Sequence, residues 1–146
     1  MKHEFTLLIA DRNRNVREFL KRELAKEGYQ VHLAKNAKDV LALVDRRDPL
    51  DLLILDLDLP DVHEVALLDE LQHRHFNLPV VVHTYLADYA EQPEPTRISA
   101  FVEKQGSSIE ELKRAVSKLL HTSTHQPSRA LKGDTAGHIQ SAYESK

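Results

Sequence analysis

Three short runs built almost wholly of Leu, Ile and Val constrain the fold of this 146-residue chain more than any other feature. They are FTLLIA (Phe5–Ala10), DLLILD (Asp51–Asp56) and PVVVHT (Pro79–Thr84). Such runs fit strands buried on both faces, as in a parallel sheet. YQVHLA (Tyr29–Ala34) and SAFVEK (Ser99–Lys104) are less apolar and fit strands nearer an edge.

Helical periods separate these runs. Val16, Phe19, Leu20 and Leu24 make one apolar stripe, with Gly28 where a helix would stop. Val40, Leu41 and Val44 make a second, with Asn36 as N-cap. Val65, Leu68 and Leu71 make a third. Ile109, Leu112, Val116 and Leu119 make the last, opened by Ser108 with Glu111 three residues on, the pattern of a capping box. Strand and helix alternate, which predicts a doubly wound α/β sheet. One segment breaks the rhythm. Between the fourth and fifth strands the chain reads YLADYAEQPEPTRI, where Pro93 and Pro95 end any helix early. The expectation there is an irregular fourth helix or turn. From Thr122 onward Ser, Thr, His, Gln, Gly and Lys dominate, and too few apolar residues remain to form a core. This predicts a structured domain over residues 1–121 and a flexible C-terminal tail over 122–146.

Composition narrows the function. A net charge of -3 and a pI near 6.3 give no sign of a nucleic-acid or membrane surface. The absence of cysteine excludes disulfides and thiolate metal sites and fits a reducing cytoplasm. The N-terminal apolar run is too short for a signal peptide, and no run approaches a membrane span. A cytoplasmic protein is the expectation.

The chemistry gathers at strand ends. In an open parallel sheet, ligands sit beyond the carboxyl ends of the strands. Those ends are Asp11, Asp56, Thr84 and Lys104. Two carboxylates could hold a divalent metal through oxygen. Thr84 and Lys104 could bind phosphoryl oxygens, one by hydrogen bond and one by charge. Asp56 is then the natural nucleophile, forming an acyl phosphate. Polar strand ends are common, so each residue alone says little; the set of four carries the reading.

The same residues resemble the receiver domain of bacterial two-component response regulators, from about Phe5 to His121. LLIAD matches that family's first strand and its acid, Asp11. LILDLDLPD matches the phosphoacceptor strand and puts the phosphorylated aspartate at Asp56. VVVHT supplies the family's hydroxyl as Thr84, FVEK its lysine as Lys104, and Phe101 stands at its aromatic switch position. The resemblance implies a five-stranded parallel sheet of flavodoxin-like order 2-1-3-4-5. It implies Mg²⁺-dependent transfer of a phosphoryl group to Asp56 from the phosphohistidine of a sensor histidine kinase or phosphotransfer protein. It further implies a downstream protein partner and, through the last helix and strands, a second copy of the chain as a candidate partner.

Several positions depart from the family pattern. A second acid usually follows the first strand; here it is Arg12. At about 5 Å and an effective dielectric of about 20, each unit-charge pair is worth roughly 3 kcal/mol. An inward Arg12 would therefore weaken or abolish Mg²⁺ binding, or pair with Asp56 in the cation's place. An outward Arg12 costs one ligand and little else. Asp58, two residues past Asp56, returns to the same side of an extended segment and offers a compensating metal ligand, by side chain or backbone carbonyl. The alternative is a solvated loop acid. Tyr85 stands where the family prefers a small residue, and either covers Asp56 or swings outward. Gln105 replaces the family's proline after the lysine, which predicts a trans bond. His63 and Glu64 replace an acid–glycine pair before the third helix. Of the nine histidines, His73 and His75 share no helix face, and His83 reads as a packed or edge strand histidine rather than a metal ligand.

Three functions compete on sequence. The first is a receiver phosphorylated on Asp56, a signalling domain that catalyses at most its own phosphotransfer. The second is a pseudo-receiver whose site is closed by Arg12 and Tyr85 and which acts by contact alone. The third is a haloacid-dehalogenase-like phosphatase, which LLILDLDL resembles through Asp56 and Asp58. Against the third, two strand–helix units precede the motif, and no acidic pair follows the fifth strand.

Overall fold

The computed structural model describes residues 5–46, 49–61, 64–74, 77–85, 98–106 and 108–121. The strands are β1 (Thr6–Ala10), β2 (Gln30–Ala34), β3 (Leu52–Leu55), β4 (Val80–Thr84) and β5 (Ala100–Glu103). The helices are α1 (Arg14–Ala25), α2 (Ala37–Val44), α3 (Glu64–Arg74) and α4, the last, at Ser108–Leu120. All strand pairs are parallel, in the order β2-β1-β3-β4-β5. The two less apolar strands are the two edges, as their composition predicts. The Pro93–Pro95 segment and the 122–146 tail lie outside the described residues.

Strand alternation explains why the apolar runs are continuous. Leu7, Ile9, Leu52, Ile54, Val81 and Val102 face one core layer, packed by Leu20 and Leu24 of α1 and Leu112, Val116 and Leu120 of α4. Leu8, Ala10, Leu53, Leu55, Val80 and Val82 face the opposite layer, packed by Val40 and Val44 of α2 and Leu67, Leu68 and Leu71 of α3. A strand buried on both faces has no polar alternate position to show.

Two sequence expectations need correction. Phe19 does not face the core: it is 40% exposed, and the Arg22 guanidinium stands over its ring at 5.5 Å. Leu20 and Leu24 already fill that layer, and Phe19 lies a full residue's rotation away on a 100°-per-residue helix. Ser108 is the first residue of α4 rather than its N-cap, and its hydroxyl meets His83 Nε2 at 3.2 Å. Asn36 caps α2 as expected, accepting from the Asp39 amide at 2.8 Å. Gly28 has φ of 98°, the left-handed conformation that ends α1 before β2.

Candidate functional site

Backbone hydrogen bonds carry the chemistry-bearing residues to one rim. The Asp11 amide donates to the Ala34 carbonyl at 3.1 Å, and the Asp56 amide to the Ala10 carbonyl at 2.9 Å. The Lys104 amide donates to the Thr84 carbonyl at 2.8 Å. Each is therefore still locked to the sheet one position past its strand's last residue, while its side chain is released from the apolar layers. Adjacent register does the rest: Ala10 pairs with Leu55, and Thr84 with Glu103.

The side chains converge on Asp56. Thr84 Oγ1 donates to Asp56 Oδ1 at 2.9 Å, and the Asp58 amide donates to the same oxygen at 3.1 Å. Lys104 Nζ donates to Asp56 Oδ2 at 2.9 Å and lies 2.8 Å from Asp11 Oδ2. Asp11 Oδ1 accepts the Asn13 amide at 2.8 Å. Asp11, Asp56 and Thr84 are buried, and Lys104 nearly so. Burial raises the Asp11 pKa, and the Asp56 charge adds to this, while Lys104 and the Asn13 amide pull it back. Burial alone would lower the Lys104 pKa, but the two carboxylates outweigh it and the net shift is upward. Lys104 is thus held as an ammonium.

The donor set suits a hard divalent cation. Two carboxylates meet one ammonium, so the buried cluster keeps one negative charge in excess. Asp11 Oδ2 is buried without a directed hydrogen bond among the described residues, despite its close contact with Lys104. An ion such as Mg²⁺ takes one or two protein carboxylates and keeps several waters. Among the described residues no third His, Cys, Asp or Glu side chain joins the two.

The departures lie at the mouth. Arg12 does not reach inward to Asp56. Its guanidinium is half exposed and pairs with Asp58 Oδ1 at 3.4 Å. β3 ends at Leu55, and Leu57 and Leu59 then enter the same core layer as Leu55, so Asp56 and Asp58 alternate with them on the other side, Asp58 at the exposed mouth. Its carboxylate is 58% exposed. Tyr85 swings outward at 59% exposure, with its ring centroid 5.5 Å from Lys104 Nζ. No cis peptide bond occurs among the described residues, so Lys104–Gln105 is trans. Phe101 is half-buried, pairs in register with Val82 and packs on the α2–α3 layer. His63 lies outside the described residues.

Three supporting residues, Asn13, Arg17 and Asp61, and one contact, His83 with Ser108, were not singled out from the sequence. Asn13 caps α1, accepting the Val16 amide at 3.1 Å while its own amide holds Asp11. An Asn just before a helical stripe is a readable N-cap signal. Arg17 donates to the Asp11 carbonyl at 2.7 Å. Asp61 accepts the Ala37 and Lys38 amides at 2.8 and 3.0 Å, tying the loop after β3 to the start of α2. His83 and Ser108 link β4 to α4. The last three join residues that no local pattern connects.

A family model described as the response regulator receiver domain matches residues 7–117. Among curated proteins, the regulatory protein AtoC of Escherichia coli (strain K12) is 30% identical over 95 residues, which cover 65% of this chain and 20% of AtoC. The response regulator RR06 of Streptococcus pneumoniae serotype 2 is 33% identical over 88 residues, covering 60% of this chain and 40% of RR06. The chain thus spans well under half the length of these relatives. Among solved structures, the response regulator protein TrrA of Thermotoga maritima in complex with Mg²⁺-BeF superimposes with a TM-score of 0.72 at 28% identity, covering 80% of this chain and 99% of that one. A second structure, of the histidine kinase ThkA in complex with TrrA, matches with a TM-score of 0.71 at 28% identity, covering 80% of this chain and 98% of that one.

Proposed function

The chain belongs to the response regulator receiver domain family, a family of phosphorelay signalling domains, and from that premise we propose that Asp56 accepts a phosphoryl group from a kinase or phosphotransfer protein. One observation carries this reading: the Asp56 carboxylate is held by three donors, Thr84 Oγ1, the Asp58 amide and Lys104 Nζ, from three separate parts of the chain. A carboxylate so fixed is oriented for attack. The likeness to TrrA, solved with the histidine kinase ThkA, supports a histidine kinase as donor.

In the transfer, an Asp56 carboxylate oxygen attacks phosphorus. The donor's P–N bond breaks, its electron pair returns to the imidazole nitrogen, and the new P–O bond makes an acyl phosphate. Lys104 keeps its positive charge beside the phosphoryl oxygens, and the Thr84 hydroxyl can turn its proton from the carboxylate to one of them. Asp11 and Asp56, with the Asp58 backbone carbonyl, would hold Mg²⁺. When bound, that ion supplies positive charge for the phosphoryl oxygens. Thr84 and Phe101 are the proposed switch, and the output is contact with a downstream protein rather than nucleic acid. On this reading the chain catalyses at most its own phosphorylation, in the cytoplasm. Among the described residues no helix is long and apolar enough to cross a membrane.

Intact-protein mass spectrometry after incubation with acetyl phosphate and Mg²⁺ tests the reading. A single acid-labile phosphoryl adduct is expected, absent in Asp56→Asn. No adduct at saturating donor would favour the phosphorylation-independent module.

A further inference from the structure

The Arg12–Asp58 pair spans the two loops that carry the reacting aspartates. Arg12 follows Asp11 directly, and Asp58 lies two residues after Asp56. At 3.4 Å the contact is longer than the about 2.7–2.9 Å of a charge-assisted hydrogen bond. The two side chains are 50% and 58% exposed, and exposed pairs of this kind hold weakly. Asp58 is at the same time in contact with the phosphoacceptor, because its amide donates to Asp56 Oδ1 at 3.1 Å. The guanidinium is therefore parked, loosely, on the residue that touches Asp56. The neighbouring cations have less freedom. Lys104 is fixed between two carboxylates, and Arg17 is committed to the Asp11 carbonyl at 2.7 Å.

We propose that Arg12 is a phosphoryl-binding residue, resting on Asp58 while Asp56 is unmodified and moving to the phosphoryl oxygens once Asp56 carries them. The inference rests on the phosphoacceptor reading of Asp56. A phosphoryl group offers three strong acceptor oxygens and more negative charge than one carboxylate, and a guanidinium meets it with two parallel N–H donors. Little is lost when the guanidinium leaves Asp58, and a stronger partner is gained. Asp58 acts as a competitor that keeps the cation near the mouth and out of the resting site. Arg12 thereby contributes, in the modified state, part of the positive charge that an acid at this position would have recruited through a metal.

Binding of fluoroberyllate, a phosphoryl mimic, to the full chain at saturating Mg²⁺ tests this, read by ¹⁹F NMR. Mg²⁺ affinity alone is measured alongside. Arg12→Ala should weaken fluoroberyllate binding about tenfold or more, the usual scale for losing one charged hydrogen-bonding contact. Arg12→Lys should restore part of the loss. Mg²⁺ affinity in Arg12→Ala should stay the same or rise, so the weaker binding cannot come from a lost metal. Asp58→Asn should tighten fluoroberyllate binding when Arg12 is present and leave it unchanged in the Arg12→Ala background. Equal affinity in wild type and Arg12→Ala, or an Asp58→Asn effect that ignores Arg12, overturns the inference while leaving the phosphoacceptor reading intact. A wild-type chain that neither binds fluoroberyllate nor takes a phosphoryl group on Asp56 overturns both.

Discussion

His83 shows how far one side chain can be displaced from its ordinary chemistry. Its ring sits in β4, beside Thr84 in sequence, buried against α4 with Nε2 on the Ser108 hydroxyl and Nδ1 without a partner among the described residues. Burial, with the nearby Lys104 charge, pushes its pKa down to about 4, against the opposing pull of Asp56. The ring is therefore neutral in the fold at pH 7, whereas in the unfolded chain it titrates near 6.5. Between pH 6.5 and about 4 the unfolded chain binds a proton that the folded chain refuses. The contribution is full above that window and lost as pH falls through it, amounting to roughly 3 kcal/mol at most. Asp11 has the opposite sign, since its raised pKa makes stability decline as pH rises above 3.8. Urea unfolding between pH 7 and pH 4.5 should show a falling midpoint, and His83→Val should flatten that slope. An unchanged slope would mean that the ring is not the group responsible. The sequence shows His83 as a packed or edge strand residue because it continues the apolar run Val80–Val82. Its hydroxyl partner, 25 residues away, is set by how α4 lies across the sheet, which no local pattern records.

The elements were legible wherever burial alone decides them. Continuous Leu, Ile and Val can only mean two covered faces, so the central strands and the two weaker edges follow from composition. Helix faces were legible to within one position. Leu20, Leu24, Leu112 and Val116 are buried as their spacing requires, whereas Phe19 turns out to solvent and Leu67 and Leu120 fill places the stripes omitted. The loop after β3 was not legible. Its course depends on Leu57 and Leu59 entering the α2–α3 layer and on Asp61 reaching α2, a contact across 24 residues. The Ala37 and Lys38 amides hold the Asp61 carboxyl below the ordinary carboxylate range. Asp61→Ala should therefore cost about 1 kcal/mol, the usual scale for losing a helix-start acceptor, visible as a lower urea midpoint at pH 7. Because the carboxylate must be ionised, the wild-type advantage should fade as pH drops below 3.8 towards the depressed folded value. An equal midpoint at pH 7 would show that Asn36 alone suffices to cap α2.

For the whole molecule, the parallel order makes one rim of five strand ends and leaves the four site residues as neighbours. That much follows from reading where each apolar run stops. The direction of Arg12 does not, because it turns toward a partner 46 residues along the chain. A ligand that binds only the folded state raises its stability, so Mg²⁺ should raise the melting temperature at pH 7. The rise should shrink on acidification, since a proton on Asp11, whose pKa burial has lifted, competes with the cation. Asp11→Asn should remove most of it; a melting temperature insensitive to Mg²⁺ at neutral pH would count against the two carboxylates as its ligands. The double-sided burial of β1 and β3 has a wider consequence. Every residue inside those strands answers to one helical layer or the other, so a change there disturbs packing. The first residues beyond the strands answer to neither. An arginine can therefore stand at position 12 without disturbing either layer: such a molecule is free to revise its reaction by editing the fringe of a scaffold it never has to rebuild.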